Sequence, residues 1–329
     1  MGILFTGYAI LDGFDLGTGP LLLCVEDDRE RRVLFNAIGP IWNGNEVWLV
    51  TAGGALFAAF PAVYATVFSG FYDAFMLLLV ALIFRAGAIE FRSQRPGRRW
   101  RTTWDVAFAI SSLISALLLG VTLGNLVWGI PLDAGHELQG DLFTLLHPYA
   151  LFTGVTVVAL FIMHANVYLV LKTDGPLQEK VMRWTRLTVP AYLACFVVFN
   201  AITLLFCPHI EAALRWRPLI LGGIFVVGLL VTFNILREVR KGNAGRAFVS
   251  SSLALALHML LFGAAVYPVM VFSTPNHAYD MTIYNSVSTG KTLGFMFLVA
   301  IIGIPIVLTY TITVYYVFRG KVVLTDESY

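Results

Sequence analysis

NAIGPIWNGNEVWLVTAGGALFAAFP, residues 36–61, decides the class of this chain. It opens on turn formers, Gly39 and Pro40, then Asn43-Gly44-Asn45. An apolar run follows, with one carboxylate, Glu46, at its mouth and Pro61 as its stop. A carboxylate at the edge of a membrane span is costly and asks for a functional reason. Gly53-Gly54, just inside, lets another helix backbone come close. The stretch reads as a membrane helix with a polar mouth and a tight protein contact. The rest of the chain agrees: of 329 residues, 58% are hydrophobic and 13% charged. Soluble domains carry roughly 25% charged residues.

Working outward, apolar runs predict about nine transmembrane helices, near 1–24, 45–66, 68–92, 103–130, 142–171, 186–206, 216–236, 246–272 and 291–318. Each is long enough for the hydrocarbon as a helix. The runs are continuous rather than alternating, which favours helices over a barrel. The expected fold is therefore all-α and polytopic, a single transmembrane domain over 1–329. Basic residues orient it. Segments 29–32, 92–101, 172–186, 237–246 and 319–321 hold 18 of the 22 lysines and arginines. The opposite side holds Arg215, Arg217 and Lys291. This bias predicts an amino terminus outside and a cytoplasmic carboxyl terminus.

Net charge is +2, which gives no reason to expect nucleic acid as a partner. Cys24, Cys195 and Cys207 are far apart and suggest no disulfide framework or metal site.

Polar residues inside the spans are the functional candidates. Asp12 and Asp15, three apart, share a helix face. They could relay protons, bind a cation, cap a neighbouring helix or hydrogen-bond to backbone at the membrane edge. Gly13 and Gly17 beside them form a GxxxG contact motif. Glu46 and Asp105 each sit at the start of a predicted span. Either is explained by the helix dipole, with Asp105 pairing to Arg101, or by proton transfer from the inner face. Trp42 and Trp48 flank Glu46 like interface anchors. Asp73, Arg85 and Glu90 in span three are read as structural, with Arg85 snorkelling or paired elsewhere. His164 and His258 are weak candidates for a bis-histidine haem, because neither helix repeats a histidine at ligand spacing.

Longer motifs carry a resemblance. GYAILDGFDLGTGPLLL (7–23), the run from 28 to 65, FSGFY (68–72), TIYNSVSTGKTL (282–293) and YYVFRGKV (315–322) resemble subunit II of the cytochrome bd quinol oxidases. The closing motif is most similar to the cyanide-insensitive branch. The resemblance implies a non-haem subunit of a respiratory enzyme that oxidises quinol and reduces dioxygen to water, contributing to the proton gradient. It implies a haem-bearing partner, subunit I, with two b-type haems and one d-type haem, so that this chain binds none. It also implies support of subunit I assembly, a proton route, and a bacterial or archaeal cytoplasmic (inner) membrane. Small single-helix accessory subunits and a structural quinone or lipid fit the same resemblance. The proton-route candidates are Asp105, Glu46, Asp12 and Asp15. Asn43 stands where the family commonly has an acid, and the first span is short. The alternative is a proton- or cation-coupled secondary transporter, which buried acids and Gly- or Pro-interrupted helices also suit.

Overall fold

The computed structural model describes residues 1–325. Fourteen helices follow one another: α1 (Gly2–Leu11), α2 (Gly13–Leu22), α3 (Asp28–Ile38), α4 (Trp42–Ala59), α5 (Pro61–Gly70), α6 (Tyr72–Phe91), α7 (Arg98–Trp128), α8 (Leu142–Leu145), α9 (Pro148–Lys172), α10 (Gly175–Phe206), α11 (Pro208–Trp216), α12 (Pro218–Arg240), α13 (Ala244–Val266) and α14 (Gly290–Val317). Besides two isolated bridges, Ile130 with Ser273 and Leu132 with Leu138, the strand structure among the described residues is one small antiparallel pair. It joins β1 (Val269–Val271) to β2 (Met281–Thr282) in the α13–α14 connection.

Among the described residues, seven helices are long and apolar enough to cross a membrane: α6, α7, α9, α10, α12, α13 and α14. The first two predicted spans are each divided. Residues 1–24 break at Asp12, between α1 and α2, and residues 45–66 break at Phe60. Pro61 lacks an amide proton, so it ends α4 and starts α5 at the first helical position. The turn before α6 falls at Phe71. The predicted 142–171 span loses its first turns to α8, where Asp141 and Thr144 form a capping box. Pro148 starts α9 directly after His147. Helix α10 begins eleven residues before its predicted span, since Gln178, Lys180 and Arg183 extend it beyond the apolar run.

Helix α2 is the centre of the bundle, buried along all but one of its residues. It lies between α7 and α9, and small residues permit this. A side chain at Gly17 would collide with the Phe161 carbonyl of α9, and one at Gly13 would lie 2.8 Å from the Phe161 ring. At Gly19 a Cβ would sit 2.5 Å from Ser112 of α7. Helices α7 and α9 meet the same way, with Gly120 against Gly154 and Gly124 against Ala150 and Thr153. Such close backbone approach replaces the hydrophobic driving force that helices lack within lipid. Phe14 stacks on Tyr168 at 3.9 Å, and the Tyr168 hydroxyl donates to Ala37 O at 2.7 Å, tying α3 to α9. By contrast, Gly53 and Gly54 have open space where a side chain would be, and α14 buries no residue.

The two glycine pairs should therefore separate experimentally. Gly17→Ala meets a backbone oxygen that cannot rotate away and should cost about 1–3 kcal/mol. Gly53→Ala should leave the chain's own packing unchanged. Unfolding midpoints of the detergent-solubilised protein compare them, and equal effects would refute the assignment of Gly17 as the close contact.

Candidate functional site

The break at Asp12 creates the site. Helix α1 stops at Leu11, and its last turn presents the carbonyls of Ile10 and Leu11. Side chains from other helices take those acceptors. Asn45 Nδ2 donates to Leu11 O at 3.0 Å, and His164 Nε2 lies 2.9 Å from Ile10 O. A buried carbonyl without a partner costs free energy, so these contacts fix the geometry of the break.

The break aims Asp12 and Asp15 at Arg85 on α6, and all three side chains are fully buried. Arg85 grips Asp12 with both terminal nitrogens, Nη2 to Oδ1 at 2.5 Å and Nη1 to Oδ2 at 3.0 Å. The guanidinium fork matches a carboxylate in this way. The same Nη1 donates to Glu46 Oε1 of α4 at 3.0 Å, and Asp15 Oδ2 lies 3.7 Å from Nη2. Asn45 donates to Asp15 Oδ2 at 2.7 Å and accepts from Tyr315 of α14 at 3.0 Å. One guanidinium thus faces three carboxylates. Asp15 Oδ1, Arg85 Nε and the Tyr8 hydroxyl have no partner among the described residues.

Asp105 belongs to a second cluster, at the arginine-rich end. Its Oδ1 accepts from Arg92 Nε at 2.5 Å and its Oδ2 from Arg31 Nη1 at 2.8 Å. Arg92 also reaches Asp28 at 2.7 Å, and Arg101 holds the other Asp28 oxygen at 2.7 Å. Arg92 lies over the Phe35 ring, 5.2 Å from its centroid. Three elements, α3, α6 with its following turn and α7, are clamped together here. Burial alone would raise the Asp28 carboxyl, but hydrogen bonds from Arg92 and the Arg92, Arg101 and Arg32 charges outweigh it. They hold the group below the usual carboxylate range.

The structure brings Asp12, Asp15 and Glu46 together and keeps Asp105 apart. Several sequence expectations are corrected. Glu46 is not a first-turn acid, because α4 begins at Trp42 and Asn43-Gly44-Asn45 is already helical. Asp105 lies two turns inside α7 and pairs with Arg92 and Arg31, not Arg101. Trp48 is not an interface anchor; it is buried, and its ring occupies the space a side chain on Gly7 would need. Asn43 is exposed. Arg85, structural on the sequence reading, organises the site, and nothing in the local sequence marks Asn45 or Tyr315 as its companions. The available signal was an arginine in an apolar span with two aspartates in another span and no compensating charge beside it.

Both interior imidazoles engage protein groups. His164 Nδ1 lies 2.9 Å from Ser251 Oγ, and His258 Nδ1 lies 2.9 Å from the Tyr192 hydroxyl. Among the described residues, no group of three or more His, Cys, Asp or Glu side chains is arranged to hold a metal.

Comparison with known proteins places this architecture. The profile of the family described as cytochrome bd terminal oxidase subunit II matches residues 1–318. The chain is 34% identical to the cytochrome bd-I ubiquinol oxidase subunit 2 of Escherichia coli K12, covering 99% of this chain and 94% of that one. It is 33% identical to the cytochrome bd ubiquinol oxidase subunit 2 of Bacillus subtilis, covering 98% and 94%. Its fold matches a chain of the bd oxidase from Geobacillus thermodenitrificans with a TM-score of 0.78 at 18% identity, over 96% and 94% of the two chains.

Removing Arg85 should expose what the cluster is worth. Arg85→Met leaves buried carboxylates without a counter-charge and should destabilise the fold by about 3–5 kcal/mol, read from denaturant unfolding. Arg85→Lys, a point charge lacking the fork, should recover part of that loss. At the second cluster the sign is set by Asp28. Its depressed pKa gives stability that is present above the ordinary carboxylate range and lost as pH falls through the depressed value. Asp28→Asn should flatten this acid-side loss. Its side chain is 46% exposed, so solvent screening keeps the effect small. Identical acid unfolding profiles in the two proteins would overturn it.

Proposed function

The chain belongs to the cytochrome bd terminal oxidase subunit II family, and from that premise we propose that it is the non-haem subunit of a respiratory quinol:oxygen oxidoreductase, contributing a proton route and supporting assembly of haem-bearing subunit I. The observation that carries the proton reading is the buried set of three carboxylates on one guanidinium. A set of this kind holds exchangeable protons at membrane depth, where a purely structural ion pair needs one acid for one base. Glu46 is its least buried member, with its side chain 26% exposed. It is the point at which a proton joins the cluster, passing to Asp12 and Asp15. Asp105, with both oxygens held by arginines, anchors α7 rather than carrying protons.

The remaining expectations form part of the same reading. The divided segments α1–α2 and α4–α5 complete nine crossings in one transmembrane domain, with the amino terminus outside and the carboxyl terminus cytoplasmic. Gly53, Gly54 and the uncovered α14 face subunit I, which carries the two b-type haems and the d-type haem. Accessory single-helix subunits, quinone and lipid join the complex in a bacterial or archaeal cytoplasmic membrane.

Glu46→Gln removes a titrating carboxyl while keeping a polar side chain at the cluster. Turnover with excess quinol should fall by on the order of tenfold or more, part of the factor a positioned proton-transfer group supplies. Haem spectra should stay unchanged. Asp15→Asn combined with it should lower the rate no further if the two act in series. Wild-type oxygen reduction and proton uptake in the double variant would place the route in subunit I alone.

A further inference from the structure

At the arginine-rich end, a cavity of about 320 Å³ lies between α10 and α12. Arg183 and Arg186 of α10 and Arg240 of α12 line it, with Glu179 as a carboxylate and Met182 and Leu236 as apolar walls. Several arginines elsewhere have carboxylate partners: Arg31 and Arg92 hold Asp105, Arg101 holds Asp28 and Arg215 holds Glu211. Arg183, Arg186 and Arg240 make no ion pair or hydrogen bond with the described residues. Arg183 and Arg186, three apart, share a helix face and repel each other. Three guanidiniums against one carboxylate leave the cavity two positive charges in excess. Among the described residues that line the cavity no second carboxylate offsets that charge, so the cavity favours an anion.

Its surroundings say which anion. Next along the two helices, on the side of the apolar runs, Leu187 and Phe233 are 73% and 56% exposed. Hydrocarbon can therefore continue from the charged cavity along α10 and α12. Basic pockets between transmembrane helices at the membrane surface recognise phospholipid headgroups. The guanidinium fork matches phosphate oxygens with paired hydrogen bonds. We propose that this cavity binds the phosphate headgroup of an anionic membrane phospholipid, with acyl chains lying along Leu187 and Phe233. A free phosphate would satisfy the arginines but leave those apolar side chains without a partner.

The full chain, with its accompanying subunits, is reconstituted into phosphatidylcholine vesicles with and without diphosphatidylglycerol. Retained lipid is then counted by native mass spectrometry after mild extraction. Arg183→Gln, Arg186→Gln and Arg240→Gln should each lower retained diphosphatidylglycerol by about fivefold. Arg215→Gln, at an arginine already paired, should leave retention unchanged. Glu179→Gln should raise retention, a gain that a folding defect cannot imitate. Inorganic phosphate should fail to displace the lipid. Undiminished retention in the triple arginine variant would overturn the proposal. Displacement by inorganic phosphate would overturn it too, marking a free-anion site, as would equal retention of phosphatidylcholine.

Discussion

Arg85 is the charge on which the rest of the arrangement depends. A guanidinium placed in an apolar helix needs counter-charge delivered from elsewhere, and here it comes from two other helical segments, α1–α2 and α4. To deliver it, the chain gives up helical continuity at Asp12. Beside the break, Asn45 and His164 reach the carbonyls of Leu11 and Ile10. Each requirement follows from the one before, because inside a bilayer an unmatched polar group finds no water to satisfy it. The broken first helix, the asparagine in α4 and the histidine in α9 are one solution to one buried charge.

The glycine contacts of α2 serve the same end. Asp12 and Asp15 can reach Arg85 only if α2 sits deep between α7 and α9, and Gly13, Gly17 and Gly19 make that depth available. The clamp at the other end of α6 then fixes its register. Arg92, one residue past α6, is held by Asp105 and Asp28. A helix pinned at its centre by Arg85 and at its end by Arg92 has little freedom to slide.

The sequence made the membrane class, most of the span positions and the acid face of Asp12 and Asp15 legible, since composition, run length and three-residue spacing are local properties. The GxxxG of Gly13 and Gly17 was legible for the same reason. The role of Arg85 was not: the sequence reading leaves it snorkelling or paired elsewhere, and its partners lie 73 and 39 positions away, beyond the reach of local spacing. The same distance hid the Asn45–Tyr315 bond. Asn43-Gly44-Asn45 looked like a loop because its propensities are those of turns, yet tertiary contacts to Leu11 and Asp15 make Asn45 worth keeping in a helix. Gly53 and Gly54 read as helix or subunit contacts, and within the chain they face open space, because spacing cannot say which side of a helix has neighbours.

Helix α14 follows thirteen others along the chain, and its Tyr315 supplies the hydroxyl that Asn45 accepts. During vectorial synthesis the carboxylate cluster can gather while that hydroxyl is still on the ribosome. Asn45 then holds Asp15 with its amide nitrogen while its carbonyl oxygen waits. Docking of α14 completes the set, and Lys172, which donates to Phe318 O at 2.5 Å, secures the same helix at its end. Maturation of the charged interior is thereby coupled to the arrival of the most peripheral helix, so a truncated chain would carry an interior that is assembled but unsealed.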